Sequence, residues 1–515
     1  MRRAISGKLA KKIDVFSIER GMPSLVLMER AALKVAEHTA RLLEAEGGGR
    51  ILFVCSEGNN GADGIAAARI LTMEGNACSI LFTGKSGHAT AEFATQLRLA
   101  QLLDIPMFFY GEDIQHNFFD EYTIIVDAMF GIGLSRTVEG IYAAIIDYMN
   151  GAGKKLLSVD IPSGVNSANG QIMGVAVNAD VTVTFGYAKL GHMLYPGKKC
   201  TGKLYVEEIG FLPFDFEAYK RVENAGESAF YFAGEDDFRI SVPVREKRSN
   251  KGNYGKPLII AGSKDMTGAA FMSGLAAYRT GAGVVTVLTH ESVDKYLKSV
   301  LPEAIVRCYG DEPEKAVTEA LEGASIVVVG PGMGVSGLSK RVVACVLANS
   351  KVPVIVDADA LNIISEDTKG WLGEEGTGRR SAPLVVTPHV GEMGRLSGHS
   401  IKELAADIPY YALEFANRYG VYCVLKDAVS AVASPDNELF ITTCGNPGMA
   451  TAGAGDVLTG ILAAVNSWTK ESFFERLCVG VQLHAMAGDM AAEKLGEHSV
   501  MARDIIECIP RILRS

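Results

Sequence analysis

The chain has 515 residues, 48% of them hydrophobic, and a formal net charge of −10. That length exceeds one ordinary domain and permits a large buried core, while the acidic balance excludes a general nucleic-acid binder, which carries a basic face. The nine cysteines form no Cys-x-x-Cys pair and sit in apolar runs, such as "VYCVLK" around Cys423; this is the pattern of buried, reduced thiols, not of disulfides or a zinc site.

The N-terminal stretch "MRRAISGKLAKKIDVF" is basic but lacks an apolar core of signal-peptide length. No run of about 20 uncharged apolar residues follows it, so a soluble, cytoplasmic protein with no membrane partner is expected. Four short β-branched runs come next: "RILFVCS", "TIIVDAMF", "KLLSVDI" and "DVTVTFG". The first is followed by a helical pattern, "GIAAARILTMEG". Continuous apolar strands alternating with helices predict a parallel sheet covered on both faces, a three-layer α/β/α domain over residues 1–215. Residues 216–240 lose any period and mix charges with aromatics, as expected of an inter-domain connection. A second α/β domain is predicted over residues 241–515, with strands at "KPLIIAGS", "GVVTVLT", "ASIVVVGPG", "VPVIVDAD", "PLVVTPH", "VYCVLKD" and "LFITTCG".

Three features of the first half carry chemistry. "CSEGNNGADG" (residues 55–64) is a glycine-rich turn between strand and helix, able to expose backbone amides to an anion. Asp127 and Asp160 stand at two strand ends, the edge of an open α/β sheet where ligands bind. Each Asp alone is equally a cap for the next turn; two of them beside a glycine turn point to a site.

The motifs "NNGADG", "VDAMFGIG" and "DIPSG", in that order, resemble the YjeF N-terminal family, the NAD(P)HX epimerases. The resemblance implies a potassium ion held by Asn60, Asp127 and Ser163, oxygen donors suited to a hard cation. It also implies that Asn59, Asn60, Gly61, Ala62 and Asp63, with Gly131, Ile132, Gly133, Leu134, Ser135, Arg136 and Thr137, bind the hydrated dinucleotide. Asp160 matches the carboxylate beside the reacting ring and is the expected catalytic group. Ala62 stands where a glycine is usual. The implied reaction inverts the hydroxyl-bearing carbon next to the ring nitrogen. The nitrogen lone pair expels the hydroxyl, and water re-adds to either face of the iminium.

In the second half, "PGMATAGAGDVLTG" (residues 447–460) places a Gly-Ala-Gly turn and Asp456 before an apolar helix. Free amides at that helix start and a nearby carboxylate supply an anion hole and a base, what phosphoryl transfer to an alcohol requires. A simple N-cap role for Asp456 is the alternative.

With "KGNYGKPLIIAGS", "GPGMG", "DADALN", "TPHVGE" and "LKDAVS", this motif resembles the YjeF C-terminal family, a ribokinase-like α/β fold with ADP- or ATP-dependent NAD(P)HX dehydratase activity. By that resemblance Gly268, Ala269, Gly332, Gly334 and His389 line the hydrated dinucleotide with Asp456, the catalytic carboxylate. Lys426, Asp427, Ala428, Val429, Ser430 and Gly455 hold the adenine nucleotide, Mg²⁺ accompanies it, and ADP is the expected donor. Asp427 stands where a glycine is usual. NADHX and NADPHX are the expected substrates, and a homo-oligomer, tetramer or larger, the expected assembly. The rival reading is a small-alcohol kinase of the hydroxymethylpyrimidine or thiazole type, fused to a non-catalytic Rossmann-like module.

Overall fold

The computed structural model describes residues 1–83, 89–111, 116–216, 219, 230–233, 238, 242–373, 382–468 and 471–514. Most of the connection expected at 216–240 therefore lies outside the described residues. The chain divides into two compact units, Arg3–Ala229 and Phe230–Ser515, the second also including Met1–Arg2.

The first unit contains β1 (Arg2–Ile5), β2 (Arg50–Cys55), β3 (Ala77–Phe82), β4 (Met107–Phe109), β5 (Ile124–Ala128), β6 (Lys155–Val159), β7 (Val181–Phe185), β8 (Ala188–Lys189) and β9 (Lys203–Glu207). One sheet runs β4-β3-β2-β5-β6-β7-β9, with every pair parallel. Strands β1 and β8 pair with each other in parallel, outside that sheet. Along β2, Ile51, Phe53 and Cys55 enter one apolar core while Leu52 and Val54 enter another. Alternate side chains of a strand point to opposite faces, so both faces of this sheet are covered, as a parallel sheet requires. Chain order reverses between β2 and β5, which opens a crevice at their carboxyl ends.

The second unit contains β10 (Phe230–Phe232), β11 (Pro257–Ile260), β12 (Thr286–His290), β13 (Ile305–Tyr309), β14 (Ile326–Val329), β15 (Val354–Val356), β16 (Leu384–Val386), β17 (Tyr422–Leu425), β18 (Ala431–Ala433) and β19 (Leu439–Ile441). Their order is β13-β12-β11-β14-β15-β16-β17-β18-β19-β10. The pairs on either side of β18 are antiparallel and the others parallel. The reversal here falls between β11 and β14, the strands that end in the "AGS" and "GPGMG" loops.

Several details differ from the sequence reading, which named only β2, β5, β6 and β7 in the first half and did not anticipate β1, β3, β4, β8 and β9. The helix after β2 spans Asn59–Met73 and so begins inside the expected glycine turn. β10 lies within residues 216–240, where no strand was expected, and pairs with β19. β13 and β18 were not anticipated: β13 is an edge strand with exposed residues along it, and β18 is three small residues long.

Candidate active sites

In the first unit a cavity of about 760 Å³ opens at the β2/β5 reversal. Its wall includes the expected Asn59, Asn60, Asp63, Gly131, Ile132, Gly133, Leu134, Ser135, Arg136 and Asp160. The loops after β2 and β5 are tied together where Ser56 Oγ donates to the Met129 carbonyl. Gly61, Ala62 and Thr137 do not line the cavity. A side chain at Gly61 would run into the Ser56 carbonyl, so this glycine permits the tight entry into the helix. Ala62 is fully buried in the core, which is why a methyl is tolerated there, and Thr137 faces solvent.

Asp127 and Ser163 lie beneath that wall. Asp127 Oδ1 accepts from Ser163 Oγ at 2.6 Å and from the Met129 amide at 3.2 Å. Its Oδ2 accepts from Ser158 Oγ at 2.9 Å and the Ser163 amide at 2.8 Å. Burial nevertheless pushes the Asp127 carboxyl up, despite those four bonds. Ser163 Oγ in turn accepts from the Phe130 amide at 2.8 Å. Asn60 Nδ2 is buried without a hydrogen-bond partner. A methyl at Gly131 would sit 3.3 Å from Asn60 Oδ1 and 3.4 Å from Asp160 Oδ2, so Gly131 separates the two side chains by little more than its own backbone. Asn60, Asp127 and Ser163 each carry an oxygen, the donor type a hard cation takes, whereas the unpartnered Asn60 Nδ2 is a hydrogen-bond donor and calls for an acceptor.

Asp160 follows β6 with a left-handed backbone, φ 65°. Its carboxylate Oδ1 accepts from Lys189 Nζ at 2.7 Å and from Thr184 Oγ1 at 3.0 Å. Lys189 Nζ also donates to Thr184 Oγ1 at 2.6 Å. Burial alone would raise the Asp160 carboxyl, but the charge and hydrogen bond of Lys189, helped by Thr184, outweigh it and hold the group below the usual carboxylate range. His192 Nδ1 accepts from the Lys189 amide at 3.1 Å, which leaves the ring proton on Nε2 to donate to the Asp160 carbonyl at 2.9 Å. Burial keeps this imidazole neutral, with a pKa of about 3. Asp63 and Asp14 share the cavity wall, and burial followed by repulsion from Asp160 pushes both carboxyls up.

The sequence reading missed Lys189, Thr184, His192 and Asp14. Thr184 lies within "DVTVTFG", and Lys189 and His192 follow it in "YAKLGH". A lysine beside a buried carboxylate is visible only once β6 and β7 are paired.

In the second unit Asp357, at the end of β15, is 2% exposed. Its Oδ1 accepts from Thr387 Oγ1 at 2.7 Å and from Lys426 Nζ at 2.9 Å. Burial opposes the Lys426 charge, yet Asp357 and Glu392 overcome it and its pKa is raised. A methyl at Gly455 would stand 3.5 Å from Lys426 Nζ and 3.7 Å from Asp357 Oδ2, so the start of the helix Ala454–Val465 lies directly over this ion pair. Gly453 caps that helix in a left-handed conformation, and Asp456 occupies its first turn. Burial, then the charges of Asp357 and Asp359, push Asp456 up to about 7 against the pull of Lys426. Ser273 Oγ and Thr459 Oγ1 both donate to the Asp456 carbonyl, at 2.9 and 2.8 Å, fixing the turn on the helix Thr267–Arg279.

Gly332 has φ 61°, and a methyl there would be 2.7 Å from Ala269 Cβ, so the expected Ala269 and Gly332 loops touch. The Gly334 amide donates to Asp359 Oδ2 at 2.8 Å. Lys426 to Ser430 form the turn from β17 into β18. Asp427 and Ala428 are exposed there, whereas Val429 is buried and offers a ligand only its backbone. His389 caps the helix Val390–Ser397 by accepting from the Gly391 amide at 3.0 Å, so Nε2 carries its proton. Its side chain is 55% exposed and its pKa is lowered by burial and by Lys426. Nε2 lies 3.6 Å from Glu392 Oε1, the residue that completes the capping box. Among the described residues no group of three or more His, Cys, Asp or Glu is arranged to hold a metal.

The family described as NAD(P)H-hydrate dehydratase matches residues 257–511, and the YjeF-related protein N-terminus matches residues 24–191. The bifunctional NAD(P)H-hydrate repair enzyme Nnr of Thermofilum pendens is 34% identical over 517 residues, covering 98% of this chain and 95% of its own. The same-named protein of Escherichia coli is 33% identical over 464 residues, covering 90% and 84%. A Bacillus subtilis ADP/ATP-dependent NAD(P)H-hydrate dehydratase co-crystallised with ATP and Mg²⁺ aligns with TM-score 0.48 at 30% identity, over 55% of this chain and 97% of that one. With two family matches in order and relatives of this likeness along nearly its whole length, the chain belongs to the bifunctional NAD(P)H-hydrate repair enzymes.

Proposed function

We propose that the first unit interconverts the R and S epimers of hydrated NADH and NADPH, and that the second dehydrates the S form at the expense of ADP or ATP, with ADP the preferred donor. The products are the restored dinucleotide, AMP (or ADP) and phosphate. The observation that carries this reading is Asp456: a carboxyl poised near neutrality in the first turn of a helix whose amides begin over the Lys426–Asp357 pair.

In the second unit Asp456 takes the proton of the substrate hydroxyl as its oxygen attacks the terminal phosphorus of the nucleotide. The helix amides and the Lys426 ammonium face the moving phosphoryl group. The ring nitrogen lone pair then expels phosphate, and loss of a ring proton restores the dihydronicotinamide. Mg²⁺, when bound with the nucleotide, supplies further screening of phosphate charge. Gly268, Ala269, Gly332, Gly334 and His389 are assigned to the hydrated dinucleotide, and the 426–430 turn with Gly455 to the nucleotide.

In the first unit Asp160 faces the ring as a carboxylate and stabilises the iminium left when the hydroxyl departs. Asn59, Asn60, Asp63 and the 131–136 loop bind the dinucleotide around it. Potassium would be held by Asn60, Asp127 and Ser163, where it supplies positive charge beside the buried Asp127. The reading includes a cytoplasmic homo-oligomer, tetramer or larger.

The test is direct. Purified protein is mixed with hydrated NADH, both epimers present, and with ADP or ATP. Recovery of 340-nm absorbance with one phosphate per turnover is expected, and both epimers are consumed. Accumulation of a stable phosphate ester without that absorbance would instead favour an alcohol kinase.

A further inference from the structure

Five carboxyls line the cavity of the first unit: Asp14, Glu57, Asp63, Glu92 and Asp160. Asp160 has a cation; Asp63 and Asp14 have no hydrogen-bond or ion-pair partner among the described residues. The cation is Lys189, whose side chain is 3% exposed and whose Nζ reaches Asp160 Oδ1, Thr184 Oγ1 and, at 3.4 Å, the Phe185 carbonyl. These three acceptors saturate the ammonium, so it has no proton left for a ligand. Its contact with Asp160 lies on Oδ1, while Oδ2 is the oxygen that approaches Gly131 on the cavity wall. The carboxylate is thus anchored by one oxygen and presents the other.

The anchoring is reinforced through the backbone. Lys189 and His192 bracket one short turn, and His192 grips the carbonyl of Asp160, whose left-handed conformation is costly for a residue with a side chain. Both ends of Asp160, carbonyl and carboxylate, are therefore held from β8 and the turn after it. The other charged groups on the wall are Lys11 and Asp14 on the helix Gly7–Glu19, Glu57 and Asp63 around the start of the helix Asn59–Met73, Glu92, and Arg136.

We infer that Lys189 is a positioning residue of the epimerase site: with Thr184 it anchors Asp160 by Oδ1 and aims the free Oδ2 at the ring. This rests on the proposed role of Asp160. Opposite charge at hydrogen-bond distance lowers a carboxyl by about 1 to 3 pH units, so its removal raises Asp160 by a like amount.

The experiment measures epimer interconversion against pH for the wild-type chain, Lys189→Met, Lys189→Arg, Thr184→Val and Asp160→Asn, with circular dichroism and the dehydratase activity of the same chain as controls for folding. In Lys189→Met the acidic limb of kcat/KM is expected to move up by at least about one pH unit, and kcat falls also at pH 7, where the carboxyl is still mostly ionised and the loss reads its lost aim. Lys189→Arg recovers most of the rate. Thr184→Val, which keeps the charge, shifts the limb in the same direction by less. If Asp160→Asn is inactive while folded Lys189→Met keeps the wild-type pH profile, the inference is overturned and the role of Asp160 stands. If Asp160→Asn epimerises at the wild-type rate, the role of Asp160 fails first.

Discussion

Lys426 donates its 2.9 Å hydrogen bond to Asp357, not to Asp456. The ammonium is thereby fixed at the mouth of the helix Ala454–Val465, and Asp456 is left without an ion-pair partner of its own among the described residues. Its pKa of about 7 follows from burial first and from the neighbouring Asp357 and Asp359 second. A base works only when ionised, so dehydratase kcat/KM is predicted to climb about tenfold per pH unit below that value and level off above it. Asp456→Asn is expected to cost 10²- to 10⁴-fold at pH 8, roughly the usual contribution of a general base. A pH profile in the R-free S epimer checks both. A flat profile from pH 5 to 8 contradicts the role.

The same raised pKa has a cost in stability. The folded protein holds the Asp456 proton more tightly than the unfolded chain does, so the favourable contribution is complete below the unfolded pKa near 4 and is lost as pH rises through about 7. Asn cannot ionise and avoids that loss. Asp456→Asn should therefore stabilise the ligand-free second unit at pH 8 by about 1 to 2 kcal/mol after discounting for solvent screening, and by nearly nothing at pH 4. Thermal unfolding at the two pH values reads the difference.

The architecture was legible because apolar strands ending in Gly, Asp or Ser are a strong local signal. Asp127, Asp160 and Asp357 each close or follow such a run, and Asp456 follows a glycine turn at the start of an apolar helix. What the sequence hid is the partner of each carboxylate. Lys189 is separated from Asp160 by a whole strand, and Lys426 from Asp357 by 69 positions, so only strand pairing brings them together. The limits of the glycine turn were also hidden. Nothing local distinguishes Gly58, which precedes the helix, from Gly61, which lies inside it, until the Ser56 carbonyl is seen against Gly61.

Gly61→Ala follows from that contact. Its methyl meets backbone, which cannot rotate away, so the first turn of the helix Asn59–Met73 must shift and carry Asn59, Asn60 and Asp63 with it. Overpacking of this kind costs about 1 to 3 kcal/mol. Epimerase activity should fall at least tenfold with the dehydratase unchanged, a separation that assays of both activities on one preparation detect. Ala62→Gly, by contrast, opens a small void in the core and should leave epimerase kcat within about twofold.

Ser163 offers the test of the cation site. Its hydroxyl donates to Asp127 and accepts from Phe130, at 2.6 and 2.8 Å. Ser163→Ala removes both bonds and one oxygen of the proposed donor set, leaving Asp127 Oδ1 with the Met129 amide alone. The loss of a buried polar partner is expected to cost about 1 to 3 kcal/mol in the first unit. Ionic strength would be held constant with choline chloride while KCl is varied. Wild-type epimerisation should rise to saturation with potassium, and Ser163→Ala should need far more of it or show no response. Equal responses in the two proteins would remove Ser163 from the set, and a wild-type rate indifferent to potassium would remove the ion itself. Ser158→Ala provides the contrast: it deletes a donor to the other Asp127 oxygen at 2.9 Å, so it should lower stability while leaving the potassium response intact.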